Sequence, residues 1–217
     1  NYSKEFTEEE LKPSNSFRWL YLIHSLASRT ITDDQELESA KVNYVFQFYT
    51  NFLLHTDITK KYMAELISGV LCAMAHLIES TNQIPDILYS PEIIKRYHDI
   101  FSVDSIPECK TKLSDFSVTD IFLFCSSESL EYLSPNDLFS DPKLTLQIAI
   151  IRILSKLSKE SSIVPNLKSF QDKIIPFCYH GHVTKLAKRT LVQLFNGDEE
   201  AAFNYSDNQQ YEDYSKC

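Results

Sequence analysis

The stretch FCYHGHVT, residues 177–184, concentrates side chains able to do chemistry: Cys178, His180 and His182 alternate around Gly181. A thiolate and two imidazoles are zinc ligands, and a thiol beside an imidazole is the pair a thiol nucleophile needs. A tetrahedral site requires a fourth ligand, usually from a second close pair. The other histidines, at 24, 55, 76 and 98, and the other cysteines, at 72, 109, 125 and 217, stand singly, and no C-x-x-C occurs. The alternation also places both imidazoles on one side only if the segment is extended. Gly is preferred just past a helix end, and His is favoured in a last turn by the helix dipole. A corner between two helices therefore accounts for the stretch with fewer requirements than a metal site. A Cys–His nucleophile would further need an orienting group and oxyanion donors, and none stands nearby in sequence.

Paired acids do not supply a stronger case for catalysis. Asp33/Asp34 and the run Glu8/Glu9/Glu10 fall at a helix start or in the polar N-terminal segment. Dipole complementation and solubility explain them there. No catalytic residue, metal or cofactor is expected. A metal- or thiol-dependent enzyme centred on Cys178, His180 and His182 remains the alternative from a different class.

The elements that must hold these residues read as helices. The chain has 217 residues, 43% of them hydrophobic, which suffices for a large core. Only 3 glycines occur, too few for the corners of a sandwich or barrel and leaving no room for a phosphate-binding Gly loop. SNSFRWLYLIHSLASRT carries Phe17, Leu20, Tyr21 and His24 on one stripe. The next helix opens at Thr32 with Gln35 three residues on, a capping-box spacing. Its expected apolar face is Ala40, Tyr44, Val45, Phe48 and Phe52. Further helices are expected over about Asp57 to Ser80 and from Ser90 to Phe101, with Pro91 in the first turn. Residues 102–141, punctuated by Pro107 and Pro135, read as short helices and loops. DPKLTLQIAIIRILSKLSKE is apolar nearly all round and should be buried on most faces. NLKSFQDKIIPFC and HVTKLAKRTLVQLF complete the set, and the acidic, Tyr-bearing residues 198–217 read as a frayed tail.

A weak repeat runs through this series. Ala149, Ile153, Leu154 and Leu157 match Ala187, Leu191, Val192 and Phe195, with the same offset at every position. The same small-then-apolar spacing occurs at Ala40, Tyr44, Val45 and Phe48 and, less completely, at Ala73, Leu77 and Ile78. Apolar-Pro starts follow two of these copies, in NQIPDIL and SIVPNL. On AIIRILSKL, AKRTLVQLF and the IVPNL and IPDIL starts, the chain resembles armadillo/HEAT-type helical repeats. It departs from regular armadillo arrays in lacking a Gly between the first helices of each unit. The resemblance implies an all-α, right-handed superhelical stack of helical hairpins or triplets, an α-solenoid, over residues 15–197. Residues 1–14 form a polar segment ahead of it.

Such arrays bind a partner segment along a concave groove lined by the last helix of each unit. The resemblance makes Asn43, Gln47, Asn51, Gln147, Lys185, Lys188, Arg189 and Gln193 groove candidates. Charge adds to this. The net charge of −9 disfavours nucleic acid, yet residues 143–189 hold nine Lys/Arg against two acids. That stretch is thus +7 and leaves −16 elsewhere, which suits an acidic peptide or helix as partner.

The expected function is a non-enzymatic scaffold or adaptor, a protein-binding subunit of a complex. A regulatory helical domain of a larger enzyme is the second choice. No apolar run approaches a membrane span. Five scattered cysteines suit an intracellular, reducing compartment, cytoplasmic or nuclear. The N-terminal residue is Asn, which reads as a piece of a longer chain.

Overall fold

The computed structural model describes residues 35–59, 63–81, 83–104, 106, 142–179 and 183–214. The expected helix over 14–30, most of the 102–141 stretch, and His180, Gly181 and His182 lie outside them. Every regular element among the described residues is helical, so the described part of the chain is all-α. Contacts divide it into two compact units, Asn1–Ile150 and Ile151–Cys217.

In the first unit, α1 (Gln35–His55), α2 (Met63–Thr81) and α3 (Pro91–Phe101) are joined by short links that include a 3-10 turn, Asp86–Tyr89. α1 packs against α2, the 3-10 turn and α3. The buried face of α1 is Val42, Phe46, Tyr49 and Leu53, each at most 1% exposed. That corrects the face expected from the repeat spacing. Ala40, Tyr44 and Phe48 point outward, with Tyr44 70% and Phe48 45% exposed, while Val45 and Phe52 are half-buried. NYVFQFYTNFLL is apolar around much of its circumference, so two stripes about 130° apart satisfy helical periodicity equally, and packing chooses between them. Thr50, inside the buried face, satisfies its hydroxyl by donating to the Phe46 carbonyl at 2.9 Å.

α2 begins later than expected. Asp57 Oδ1 accepts from both the amide of Thr59 at 2.9 Å and its hydroxyl at 2.7 Å. This local Asx arrangement offers the backbone an alternative to helix and separates α1 from α2. α3 starts as anticipated. Ser90 Oγ accepts from the Ile93 amide at 3.5 Å, and Pro91 takes the first turn, where its missing N–H costs nothing. Its core face is Ile93, Tyr97, Ile100 and Phe101.

α4 (Pro142–Leu157) runs from the end of the first unit into the second. Every residue from Ile148 to Ser158 is buried, the apolar majority as a helix apolar nearly all round requires. Arg152 and Lys156 are included, at 4% and 2% exposure.

The second unit continues through a run of alternating short helical pieces, α5 (Val164–Leu167), α6 (Gln171–Ile174) and the 3-10 segments Lys168–Phe170 and Ile175–Tyr179. The two apolar-Pro starts do open new helical pieces, at Asp86–Tyr89 and at Val164–Leu167. α7 (Thr184–Leu194) packs against the Ile175–Tyr179 segment and against α5 and α6. α8 (Glu199–Tyr214) follows and packs on α7.

The turn between α7 and α8 explains why the acidic end is helical rather than frayed. The Gly197 amide donates to the Val192 carbonyl at 2.9 Å and the Asn196 amide to that of Gln193 at 3.0 Å. These two bonds form a Schellman stop. Asn196 and Gly197 both take positive φ there, and Asn and Gly are the residues that tolerate the left-handed region. Asp198 then caps α8, its Oδ1 accepting from the Ala201 amide at 2.9 Å. Glu199 and Glu200 stand in the first turn, where they complement the dipole.

Candidate interaction surfaces

The outer face of α1 holds the first surface. Asn43, Gln47 and Asn51, each four residues apart, are all exposed. Tyr44 and Phe48 lie between them on the same face, and Leu54 and His55 extend it toward the helix end. Phe48 is held edge-on to the buried Tyr49, ring centroids 6.2 Å apart. Rigid exposed aromatics among amides are the side chains that dominate protein interfaces. Their spacing places both aromatics in the expected core, because periodicity alone cannot separate the two apolar stripes.

The basic residues of α7 divide. Lys185 and Arg189 are exposed, whereas Lys188 is half-buried. The Lys188 ammonium lies over the Tyr179 ring at 5.8 Å and the Phe203 ring at 5.9 Å from their centroids. It thus joins the Ile175–Tyr179 segment to α8 by cation–π attraction. The polar heads of Gln147 and Gln193 also meet the protein's own groups. Gln147 Nε2 donates to the Phe101 carbonyl at 3.2 Å, and Gln193 Oε1 accepts from Ser158 Oγ at 2.9 Å.

α8 is latched by further polar and aromatic contacts. The Tyr179 hydroxyl exchanges a hydrogen bond with Ser206 Oγ at 2.8 Å and lies 3.1 Å from Asp207 Oδ1. Tyr205 donates to Asp172 Oδ1 at 2.6 Å, and its ring lies 5.3 Å from that of Phe195. The Asp172 hydrogen bond, aided by burial, pushes the Tyr205 phenol up to about 12. The folded value lies above that of a free phenol, near 10, so this contact stabilises α8 fully below about pH 10. The contribution is lost as pH rises toward about 12. Hydrogen exchange across α8 should therefore speed up over that interval in the native protein. In Tyr205→Phe, which has no phenol at this position, the Tyr205-linked part of that change should vanish.

Cys178 is buried and donates weakly to the Ile174 carbonyl at 3.8 Å. Burial pushes its thiol up to about 11, against a smaller opposing pull from Lys188. A nucleophile or zinc ligand needs the thiolate, which this environment disfavours. Among the described residues no cluster of three metal-ligating side chains occurs, and none of their helices is long and apolar enough to cross a membrane. No known family, curated protein or solved structure matches the chain.

Proposed function

We propose that the chain is a non-enzymatic interaction module, a scaffold or adaptor that receives a segment of a protein partner on the outer face of α1. The observation that carries this reading is the 70% exposure of Tyr44 beside Phe48 and the amides of Asn43, Gln47 and Asn51. Exposed aromatics grouped among polar residues mark surfaces that a partner can cover with gain. The partner contributes an apolar strip to cover Tyr44 and Phe48 and polar groups to meet the amides. The exposed Lys185 and Arg189 give α7 a separate basic edge suited to an acidic segment.

An armadillo/HEAT-like superhelical stack is part of this proposal. The helical starts at Asp86 and Val164, each next to a Pro and each following a long helix, support it. The unequal environments of the Ala40 and Ala149 copies, one exposed and one buried, count against a regular array.

The test is capture of proteins from a cell extract on the intact chain, comparing native protein with Tyr44→Glu/Phe48→Glu. Both positions face solvent, so stability should change by no more than about 0.5 kcal/mol per site. Captured partner should fall by about tenfold or more, the loss of one hot-spot contact. Equal capture by a folded double variant would reject this face. Lys185→Glu/Arg189→Glu, measured alongside, reads the basic edge.

A further inference from the structure

We propose that α8 is a detachable cover, and that the α7–Tyr179 face beneath it accepts an acidic, aromatic-bearing helix from a partner in α8's place. The proposal rests on the reading of the chain as an interaction module and names a second surface with its ligand chemistry.

Between Glu199 and Asp207, α8 buries little. Of its side chains from Glu199 to Asp207, only Ala202 and Ser206 are buried, and both are small. An Ala and a Ser remove little apolar surface from water, so this part of the helix lacks the packed stripe that holds its neighbours. Segments with few buried apolar contacts open locally at low cost while the rest stays folded.

The contacts of α8 are nevertheless specific. Small residues four apart let α8 lie close, and three aromatic or polar latches surround them. Phe203 covers the Lys188 ammonium, Tyr205 reaches Asp172, and Asp207 with Ser206 takes the Tyr179 hydroxyl. All are side-chain contacts at or near the surface, the kind that a second helix of the same pattern can reproduce. That pattern is a small residue at i and i+4, aromatics at i+1 and i+3, and an acid at i+5.

Charge acts in the same direction. Residues 198–214 carry six acids and no Lys or Arg, while α7 carries Lys185, Lys188 and Arg189 and no acid. α7 and α8 thus carry opposite net charge, and the basic α7 would equally draw in an acidic helix from another chain. An intramolecular occupant at high effective concentration lowers the apparent affinity of any competitor, so α8 sets the threshold for binding.

The experiment uses the full chain and a fluorescent synthetic peptide of residues 198–214. Ala202→Glu/Ser206→Glu puts two carboxylates at the buried positions of α8 between Glu199 and Asp207 and should dislodge it. The dislodged variant should bind the peptide about tenfold or more tightly than native protein, with binding weakened about fivefold by adding Lys188→Ala. Equal affinity for native and dislodged protein, or no binding to a folded dislodged variant, would overturn the proposal. If the variant fails to fold, hydrogen exchange on native protein decides. Amides of residues 199–207 should exchange well before those of Leu186–Leu194, and equal protection would overturn the cover. The peptide result is independent of capture on the α1 face, so each proposal can fail without the other.

Discussion

Phe170→Ala should remove about 3–5 kcal/mol of stability, the ordinary cost of deleting a fully buried ring. Phe170 is 0% exposed and ends the Lys168–Phe170 turn, which packs against α5 on one side and α6 on the other. Those two helices have 4 residues each, too short to persist alone, so their order depends on what they pack around. Domains of this size keep a net stability of about 5–15 kcal/mol, and one such loss takes a large share of it. Urea unfolding followed by helical circular dichroism should show the midpoint falling steeply. Phe170→Leu, which keeps part of the volume, should fall less. Asn166 is an exposed site nearby, and Asn166→Ala should leave stability almost unchanged. A Phe170→Ala midpoint matching that of Asn166→Ala would mean that the ring is not the centre of this packing.

Arg96→Ala should cost about 2–4 kcal/mol, from two charge-assisted hydrogen bonds lost together. Arg96 projects from α3 to the end of α1. Its Nε donates to the Leu53 carbonyl at 2.6 Å, and Nη2 donates to the Thr56 carbonyl. The last carbonyls of a helix have no intrahelical partner, and a cation there also meets the negative end of the dipole. Thr56 Oγ1 serves the Phe52 carbonyl at 2.5 Å, so Arg96 and Thr56 between them close the end of α1. Burial lowers the Arg96 pKa and the nearby Asp99 and Asp57 raise it, a balance that holds the guanidinium charged at neutral pH. Arg96→Lys keeps the charge but not the fork, and should recover only part of the loss. Hydrogen exchange should report the damage first at the end of α1 and in α3. Equal exchange in Arg96→Ala and native protein would show that the cap carries no weight.

Neither effect is visible in the chain as written. Arg96 stands 43 residues from Leu53, and nothing in IIKRYH marks one base as a cap and its neighbour as a solvent group. α3 itself was legible, because Ser90 and Pro91 are local signals that act within one turn. The turn into α8 was equally local. NGDEE holds a helix stop followed at once by a cap and two first-turn acids. The acidic composition of the last residues masks that signal and mimics a frayed tail.

The candidate sites divide along the same line. Asn43, Gln47 and Asn51, groove candidates on the resemblance, are exposed on α1, and Lys185 and Arg189 are exposed on α7. Lys188 carries the same charge, but Tyr179 and Phe203, brought from separate elements, enclose it. Gln147 and Gln193 likewise find acceptor or donor groups 46 and 35 residues away in sequence. Tyr44 and Phe48 moved in the opposite sense, from expected core to surface.

Composition and spacing are enough to make this chain helical. Few glycines, apolar residues every three to four positions and caps at single turns act within a few residues, where neighbours in sequence are neighbours in space. They also suffice to bury the apolar positions of α4, such as Ile150, Ile151, Ile153 and Leu154, but not its Arg152 and Lys156, whose burial depends on what packs around them. Choosing between the two apolar stripes of α1, enclosing one of α7's three basic residues, and seating α8 on α7 required partners from distant parts of the chain. Those choices follow from which surfaces meet when the helices pack, and helical periodicity carries no information about that.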